Sequence, residues 1–504
     1  MYYPIAYLVA VIGLIWWHHY QDDESKSQFG RFLFLLGFAG YLGTLLLAGM
    51  SIGEKLFTGF WGLLVLALVN WFFQFLRPKH RLFWSIVVLI VAVIQVFVVK
   101  LPAGLSENTE AIDFEVDEHG EWLVELDRRE DLSLFKLRLK GIGVVRQAFF
   151  PNDVNATDLN HFYVVDVLDD ANAVQAGRII RESPRVKWAE WNEKVAVWPS
   201  QKVSANVGSA ADGLGVNDPE VSKQWAMKAL DMGAFYEFLR KQHPKARKKA
   251  VLAILDTGVD AKHEDLKAGF VSTEGRSDND PVGHGTHCAG IAGAVTNNGV
   301  GIASTRLGDS YYSVTSIKVL NANGMGTQET IIDGILKAAD AGVSVISMSL
   351  GGRADKRKQR AYEKAIQYAN KKGAIVVVAA GNENRNAKTV TPANVNGVIT
   401  VSAIDSSLTR ALFSNSVKDL KMGLAAPGVG IYSTIPGHQY ASFNGTSMAT
   451  PFVAGLVAMM KSIRPKLTTE EAYKILAESG KSTRNPETTG VLIQPAKAME
   501  GLLR

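Results

Sequence analysis

The sequence predicts an α/β protein in which helices cover both faces of a parallel sheet, and this unit occupies the C-terminal half of a 504-residue chain. Short runs rich in Val and Ile, such as residues 251–255 and 374–379, alternate with stretches of helical periodicity such as residues 329–341. Strands that are buried on both faces of a parallel sheet have continuous apolar sequences of this kind. In such sheets, sites form beyond the carboxyl ends of the strands.

The first hundred residues are much more apolar than the remainder. They contain four apolar stretches, each close to the ~20 residues that a helix needs to cross a bilayer: residues 2–20, 32–50, 57–76 and 82–101. One such stretch could be a signal peptide or a buried helix, but four in succession favour a transmembrane region over residues 1–104. The first stretch also lacks the basic start of a signal peptide.

Loop charges predict how this region is oriented in a cell membrane. The third loop, residues 77–81 (RPKHR), is strongly basic, and an even number of spans places both chain ends on the same side. Because basic loops stay in the cytoplasm, we expect a multi-pass protein whose residues after 101 are extracytoplasmic. The spans carry ionisable residues only near their ends, which favours an anchor in the lipid bilayer over a pore.

Charge and cysteine content exclude some other functions. A formal net charge of +5 is small for this length, so a nucleic-acid partner is not indicated. The single cysteine, Cys288, excludes an intrachain disulfide.

Residues 121–198 have a pattern of strand, helix, strand, strand, helix and strand, which fits a ferredoxin-like α+β unit. We expect strands at residues 122–126, 144–150 and 161–167, a strand or hairpin at 186–197, and helices at 131–140 and 171–182. The domains are therefore expected at residues 1–104 (transmembrane), 105–200 (α+β), 201–216 (linker) and 217–504 (α/β).

Three segments of the α/β unit place a reactive side chain on a turn beside an apolar element. They are residues 253–260 (AILDTGVD), 283–290 (GHGTHCAG) and 444–451 (NGTSMATP). Alone, each has a simpler interpretation, since Asp follows strands in turns and Ser caps helices. Together they supply an acid, a base and a nucleophile in Asp256, His284 and Ser447.

These segments resemble the three signature motifs of the subtilase family of serine proteases, in the order Asp, His, Ser, and in particular its thermitase branch. The resemblance extends from about Asp218 to the C-terminus. It implies a subtilisin-like fold and an Asp256–His284–Ser447 triad that hydrolyses peptide bonds in proteins. Residues 379–383 (AAGNE) match the family's oxyanion motif, which implies that Asn382 is an oxyanion donor.

The resemblance also implies how substrate and prodomain bind. An extended peptide would pair with two edges of the unit, which correspond to Gly324-Met325-Gly326 and Ser349-Leu350-Gly351. The position of the α+β unit and its ending at residues 185–190 (RVKWAE) resemble an inhibitory prodomain, whose tail lies in the cleft in this family. Self-cleavage is then expected within residues 199–215. A structural spacer domain is the alternative.

A structural Ca²⁺ ion is also implied, because all three parts of the family's strong calcium site have counterparts here. Ca²⁺ binds six to eight oxygen ligands. The implied ligands are the side chains of Asp218, Asp265 and Asn298 and the carbonyls of Val295, Val300 and Ile302.

These observations predict an autoprocessed, membrane-anchored serine endopeptidase. One alternative is a membrane sensor or scaffold that uses an inactive subtilase domain as a binding module. Another is a sensor or transporter with a protease attached. Cys288, four residues after His284, is expected to be a packed thiol beneath the histidine rather than a nucleophile.

Overall fold

A computed structural model describes residues 3–20, 22–46, 71, 122–127, 132–168, 170–197, 214–308, 311–353 and 359–504. The chain divides into two compact units, Met1–Phe114 and Glu115–Arg504.

Two packed helices form the described part of the first unit, α1 (Tyr3–His19) and α2 (Glu24–Leu46). Glycines let their backbones approach closely: a Cβ on Gly13 would lie 2.2 Å from the backbone nitrogen of Phe34. Small residues at a helix contact are typical of transmembrane packing. The predicted spans at 57–76 (apart from residue 71) and 82–101 lie outside the described residues.

One helix in the described part of the chain is long and apolar enough to cross a membrane, Thr446–Ile463, and it is completely buried inside the second unit. Its apolar character is therefore explained by its place in a protein core.

The second unit begins with an antiparallel sheet covered by two helices. Its strands lie in the order β2-β3-β1-β4, and the elements follow the predicted sequence of strands and helices. They are β1 (Trp122–Leu126), α3 (Leu132–Arg138), β2 (Gly143–Gln147), β3 (Phe162–Val167), α4 (Asp170–Glu182) and β4 (Val186–Trp191).

Both faces of this small sheet are buried. Trp122, Val124 and Leu126 pack with residues of α3 and α4, whereas Leu123 belongs to the apolar core of the larger sheet that follows. The final element differs from the prediction of one strand or hairpin over 186–197. The chain leaves this sheet after Trp191. The next strand, β5 (Lys194–Ala196), pairs with a strand of the α/β region instead.

The α/β region supplies the remaining elements. Its helices are α5 (Trp225–Ala229), α6 (Met232–Gln242), α7 (His284–Gly293), α8 (Gln328–Asp340), α9 (Arg360–Lys371), α10 (Thr446–Ile463), α11 (Thr469–Ser479), α12 (Pro486–Thr489) and α13 (Pro495–Leu503). Its strands are β6 (Ala250–Asp256), β7 (Tyr312–Lys318), β8 (Met325–Thr327), β9 (Val345–Met348), β10 (Gly352–Arg353), β11 (Ile375–Ala379), β12 (Val390–Thr391), β13 (Val398–Ile404), β14 (Gly423–Pro427), β15 (Ile431–Ile435) and β16 (Gln439–Phe443).

Six of these strands form a parallel sheet in the order β14-β13-β11-β9-β6-β7. One apolar core includes α7 and α10, and a second core on the opposite face includes α8 and α9. The predicted parallel sheet with helices on both faces is therefore confirmed. In the inner strands β6 and β11, alternate residues contribute to opposite cores, which explains the uninterrupted apolar runs.

Two strands of the sheet differ from what the sequence predicts. Residues 316–320 are a further apolar run that predicts a strand, but the strand there, β7, begins four residues earlier at Tyr312. Its first half, Tyr-Ser-Val-Thr, is less apolar than that run. Strand β14 has no such apolar run, because its sequence contains Gly, Ala and Pro, which have low strand propensity.

Removing a core side chain tests this packing. Leu456 on α10 is completely buried, so Leu456→Ala leaves a cavity and lowers the free energy of unfolding by about 2–5 kcal/mol. Leu412→Ala is the matched control because Leu412 is 90% exposed, and it changes stability by less than ~0.5 kcal/mol. Chemical denaturation of both variants measures the difference; equal effects would contradict the assigned core.

Candidate active site

Asp256 and His284 meet at the carboxyl end of the parallel sheet. Asp256 is the last residue of β6, His284 is the first residue of α7, and His284 Nδ1 lies 2.8 Å from Asp256 Oδ1. Asp256 Oδ1 also accepts a hydrogen bond from the backbone N–H of Thr257 at 2.8 Å. Because a carboxylate only accepts hydrogen bonds, Nδ1 is the donor, and in the neutral ring Nε2 is left as the acceptor.

The electrostatic environment favours a proton on His284. Burial by itself lowers the pKa of this histidine, but the Asp256 carboxylate and the Cys288 thiol together outweigh burial, and the pKa is raised above its ordinary value. Within the described part of the chain, Nε2 has no hydrogen-bond partner although it is buried. The imidazole therefore has a fixed orientation and a nitrogen that is available for a further proton.

Glycines allow the two segments to come this close. A Cβ on Gly285 would lie 2.1 Å from the carbonyl oxygen of Gly258 and 3.1 Å from Asp256 Cβ. Gly258 has φ +111° and Gly283 has φ +91°, a backbone conformation that favours glycine. A side chain at position 285 would separate α7 from the end of β6.

Asp280 fixes the start of α7 and was not identified from the sequence. Its buried carboxylate accepts hydrogen bonds from Thr257 Oγ1 (2.8 Å), from the N–H of Gly283 (2.9 Å) and from the N–H and Oγ1 of Thr286 (both 2.8 Å). Thr257 Oγ1 in turn accepts from the N–H of Gly285 at 3.1 Å. The contact with Thr257 could not be predicted from the sequence, since the two residues are 23 positions apart.

Ser447 lies in the first turn of α10, where Gly445 rather than the serine occupies the cap position. Ser447 Oγ donates to the carbonyl of Ser349 at 3.1 Å, and Ser349 Oγ donates to the carbonyl of Ser447 at 2.9 Å. This reciprocal pair holds the serine against the segment that follows β9.

Asn382 follows β11 and is oriented by the residue before Ser447. Its Oδ1 accepts from the N–H of Thr446 at 2.9 Å and from Thr446 Oγ1 at 2.8 Å. Because Oδ1 is used in this way, the amide Nδ2 is directed away from Thr446. A Cβ on Gly445 would lie 3.2 Å from that Nδ2, so the glycine leaves room for the amide.

Cys288 packs beneath these groups. Its Sγ lies 3.9 Å from His284 Nδ1 and 3.5 Å from the carbonyl oxygen of Ser447. Burial raises the pKa of the thiol, which keeps it protonated and poorly nucleophilic. The predicted position beneath the histidine is observed.

The two predicted peptide-binding edges are both paired with the strand that follows the α+β sheet. β5 runs antiparallel to β8, with Val195 opposite Gly326 and Ala196 opposite Met325. The N–H of Val197 donates to the carbonyl of Gly324 at 3.0 Å. On the other side, Ala196 forms a bridge with Gly351, within the predicted Ser349-Leu350-Gly351 segment. The cleft is thus occupied by the chain's own residues 194–197.

The residues predicted to bind Ca²⁺ also come together. Asp265 Oδ1 accepts from Asn298 Nδ2 at 3.0 Å, and Asp265 Oδ2 accepts from the N–H of Ile302 at 2.8 Å. Asp218 accepts from the N–H of Asn298 at 3.1 Å. In the described residues, the carbonyl oxygens of Val295, Val300 and Ile302 accept no hydrogen bond.

Asp218 and Asp265 are both buried, and among the described residues neither forms an ion pair with a basic side chain. Burial raises the pKa of Asp265 to about 7, and the Asp218 carboxylate adds to that rise. Burial also raises the pKa of Asp218. The carboxylates, the Asn298 amide and the unused carbonyls are hard oxygen donors, so this residue set fits a Ca²⁺ ion, which would compensate both negative charges.

The chain was compared with known proteins. Residues 247–491 match the Subtilase family. Thermitase from Thermoactinomyces vulgaris is 44% identical over 220 residues, which cover 42% of this chain and 75% of thermitase. A thermostable alkaline protease from Halalkalibacterium halodurans is 31% identical over 353 residues, 68% of this chain and 87% of that protein. A solved protease structure from Pseudoalteromonas arctica is 28% identical, has a TM-score of 0.50, and matches 57% of this chain and 99% of that chain.

The raised pKa of Asp265 predicts a pH dependence of stability without bound metal. Between its ordinary value of 3.8 and about 7, the folded state holds a proton that the unfolded state has released. In the presence of a chelator, the free energy of unfolding therefore falls as pH rises through this window, by at most ~1.4 kcal/mol per pH unit for one proton. Asp265→Asn removes that slope, and denaturation at several pH values measures it.

The control for this experiment is Asp419→Asn, which changes an exposed acid and keeps the slope. A slope that is equal in the Asp265→Asn variant and in the unchanged protein would contradict the assignment.

Proposed function

This chain belongs to the subtilase family and is a serine-type endopeptidase, and from that premise we propose that Asp256, His284 and Ser447 form its catalytic triad. The observation that carries the proposal is the 2.8 Å hydrogen bond between His284 Nδ1 and Asp256 Oδ1. It fixes the tautomer in which Nε2 can accept the proton of a serine hydroxyl.

The proposed reaction follows from these roles. His284 Nε2 takes the proton of Ser447 Oγ as the oxygen attacks the peptide carbonyl, and then delivers that proton to the leaving amine. Asp256 stabilises the imidazolium that forms in between. Water then hydrolyses the acyl ester and regenerates Ser447. The hydrogen bond from Ser447 Oγ to the Ser349 carbonyl has to break before the serine can donate to His284.

Asn382 is proposed to stabilise the oxyanion. Its side-chain oxygen is bound by Thr446, which leaves Nδ2 as a donor beside the N-terminal turn of α10. The backbone N–H of Ser447, at the positive end of this 18-residue helix, is the second proposed donor.

We propose that the α+β region is an inhibitory prodomain. Its residues 194–197 pair with both peptide-binding edges in the way an extended substrate would. The match to the alkaline protease of H. halodurans supports this proposal. That match covers 68% of the chain, which is more than residues 217–504 can provide, so it reaches into the preceding region.

Hydrogen bonds at two helix starts support the docking. Glu190 Oε1 accepts from the Gln328 side chain at 2.8 Å and from the N–H of Ala361 at 3.3 Å. Asn192 Oδ1 accepts from the N–H of Glu329 at 2.9 Å. Gln328 and Glu329 lie at the start of α8 and Ala361 lies at the start of α9, where backbone N–H groups have no acceptor within the helix. The α+β region thus supplies hydrogen-bond acceptors to the first turns of two helices of the α/β region.

Ion pairs extend the same contact along α9. Arg360 pairs with the buried Glu125 at 2.5 Å, and Lys364 lies 3.4 Å from Asp158. Lys372, just after the helix, pairs with Asp153 at 3.4 Å. The acids belong to the α+β region and the bases to the α/β region, so charge complementarity favours this orientation.

The membrane anchor and the calcium ion complete the proposal. The four apolar stretches of residues 1–104 support a multi-pass anchor, with the protease domain outside the cytoplasm. The paired carboxylates of Asp218 and Asp265 support a structural Ca²⁺ site near the start of the α/β region. Bound Ca²⁺ would hold both acids ionised and join that start to the loop at 295–302.

Single substitutions test the catalytic assignment. Ser447→Ala reduces peptide hydrolysis to background because the nucleophile is lost. Asn382→Ala lowers kcat by ~10²–10³-fold, the magnitude known for such a donor in subtilisin, with little change in KM. The exposed Asn396 gives the control, Asn396→Ala, which keeps full activity. Hydrolysis of a chromogenic peptide by the three variants measures this; activity in Ser447→Ala contradicts the triad.

Deletion tests whether residues 1–104 serve only as an anchor. Without them, the protein is expected in the soluble fraction with the same kcat/KM as the detergent-solubilised full chain, since no proposed site residue lies before Asp218. Fractionation and peptide hydrolysis measure the two properties. Loss of hydrolysis in a folded deletion variant would show that these residues take part in activity.

A further inference from the structure

The end of α6 and the loop that joins it to β6 are strongly basic. Six of the ten residues at 240–249 (RKQHPKARKK) are Lys or Arg and none is acidic, whereas the formal net charge of the whole chain is only +5. This segment is described throughout, in contrast to the predicted self-cleavage segment at 199–215, of which residues 199–213 lie outside the described residues. The basic side chains can therefore be assigned to places in the fold.

Part of this charge stabilises a helix. Arg240 and Lys241 lie in the last turn of α6, where cations compensate the negative end of the helix. Lys241 also pairs with Glu237 at 2.5 Å. Helix stabilisation thus explains these two residues, but it does not explain the basic residues of the loop beyond the helix.

The loop is held against the end of α10 by its backbone. The N–H groups of Arg247 and Lys248 donate to the carbonyl of Ser462 at 2.8 and 3.1 Å. The side chains of Lys245, Arg247 and Lys248 are exposed, and within the described part of the chain none of the three forms an ion pair or a side-chain hydrogen bond. These side chains are therefore not needed to place the loop.

The loop also adds positive charge to a place that is already positive. The buried Lys461 on α10 donates to two carbonyls just after the helix. Burial lowers the pKa of Lys461, and the charge of Lys248 lowers that pKa further. An anion bound at the loop would relieve this repulsion.

The basic loop lies at the edge of the sheet opposite the catalytic groups. It leads into Ala250, the first residue of β6, which is paired with the first residue of β7. Asp256 is at the other end of the seven-residue strand β6, about 20 Å away. The loop packs against α10, whereas the α+β region contacts α8, α9 and the peptide-binding edges. The basic side chains therefore stay accessible while that region is docked.

Residues 243–249 and Tyr311 line an open cleft of about 470 Å³. Clusters of Lys and Arg close to a bilayer bind the phosphate groups of anionic lipids. The cleft offers such a group several cations at once, on a loop that is fixed by backbone hydrogen bonds.

We infer that the loop at 243–249 is a docking surface for the anionic phospholipid headgroups of the membrane that anchors the chain. The inference rests on the proposed function, because the choice of a lipid as the partner requires the proposed anchor. About 20 residues separate the last predicted span from β1, and they can extend over at most ~70 Å, so a bilayer surface is always within reach of the protease. Docking through this edge directs the opposite edge, with the catalytic groups, away from the bilayer.

Chemical labelling of lysines in two kinds of bilayer tests this surface. The full chain is incorporated into nanodiscs of phosphatidylcholine alone or of phosphatidylcholine and phosphatidylglycerol in equal amounts, and mass spectrometry follows acetylation by an uncharged reagent. Lys245 and Lys248 are expected to react about tenfold more slowly in the anionic discs, since each cation near an anionic surface contributes to docking. The exposed Lys262 and Lys267, which follow the carboxyl end of β6, keep the same rate.

A pair of matched variants assigns the effect to the loop. Arg247→Gln combined with Lys248→Gln removes two charges but retains the backbone hydrogen bonds of the loop, and the slower labelling of Lys245 is expected to be largely lost. Lys262→Gln combined with Lys267→Gln changes the net charge equally and keeps the slower labelling. Salt at about 1 M removes it in every protein that shows it, because the Debye length is then very short.

Each outcome has a defined meaning. Equal labelling of Lys245 in the two kinds of disc overturns the inference, and so does an equal slowing of Lys262. Protection by inorganic phosphate in phosphatidylcholine discs that matches the protection in anionic discs overturns the assignment to a membrane.

Two further measurements separate this inference from the proposed function. Size-exclusion chromatography shows whether the full chain enters the discs, and a chain that stays outside them overturns the proposed anchor and the inference with it. Peptide hydrolysis by the Arg247→Gln, Lys248→Gln protein is expected to equal that of the unchanged protein in phosphatidylcholine discs. Loss of hydrolysis in this variant would contradict a role of the loop in docking alone.

Discussion

The buried hydrogen bond between Asp256 and His284 is the contact on which the rest of the site depends. It requires the side chains at the end of β6 and the start of α7 to come within hydrogen-bond distance, 2.8 Å between Nδ1 and Oδ1, and the close approach of the two segments explains Gly285. Asp280 joins the same two segments, because its carboxylate accepts a hydrogen bond from Thr257 Oγ1 as well as four from residues 282–286. The parallel sheet makes this contact possible, because it brings the ends of β6, β9 and β11 to one edge, where Ser447 lies in the first turn of α10.

The sequence was sufficient for the sheet and for the contact between Asp256 and His284. Continuous Val- and Ile-rich runs revealed the buried strands, and the Gly-flanked Asp256, His284 and Ser447 revealed the turns that follow them. It was not sufficient for contacts between distant segments. The contacts of Asp280 with Thr257 and of Glu190 with Gln328 could not be predicted, because these partners are 23 and 138 residues away. The strand β14 was missed because its Gly, Ala and Pro residues follow the requirements of packing against α10 rather than strand propensity.

The α+β region is bound through two different kinds of contact. At α8 and α9, polar groups such as Glu190 accept hydrogen bonds from the first turns of the helices. Ion pairs such as Arg360–Glu125 fix the orientation of the α+β region on the α/β region. At the predicted peptide-binding edges, the region is bound by the backbone pairing of β5 and by the buried side chain of Val195. The proposed inhibition depends on the second contact, because only that contact involves the predicted peptide-binding edges.

The most direct test of the triad is the rate at which a small phosphonylating reagent modifies the chain, followed by mass spectrometry with peptide mapping. The proposed chemistry predicts a single adduct on the peptide that contains Ser447, formed far more slowly in His284→Ala because the hydroxyl then has no base. An adduct on a different serine, or an equal rate of modification in the His284→Ala variant, would contradict the assignment of Asp256, His284 and Ser447 as the catalytic groups.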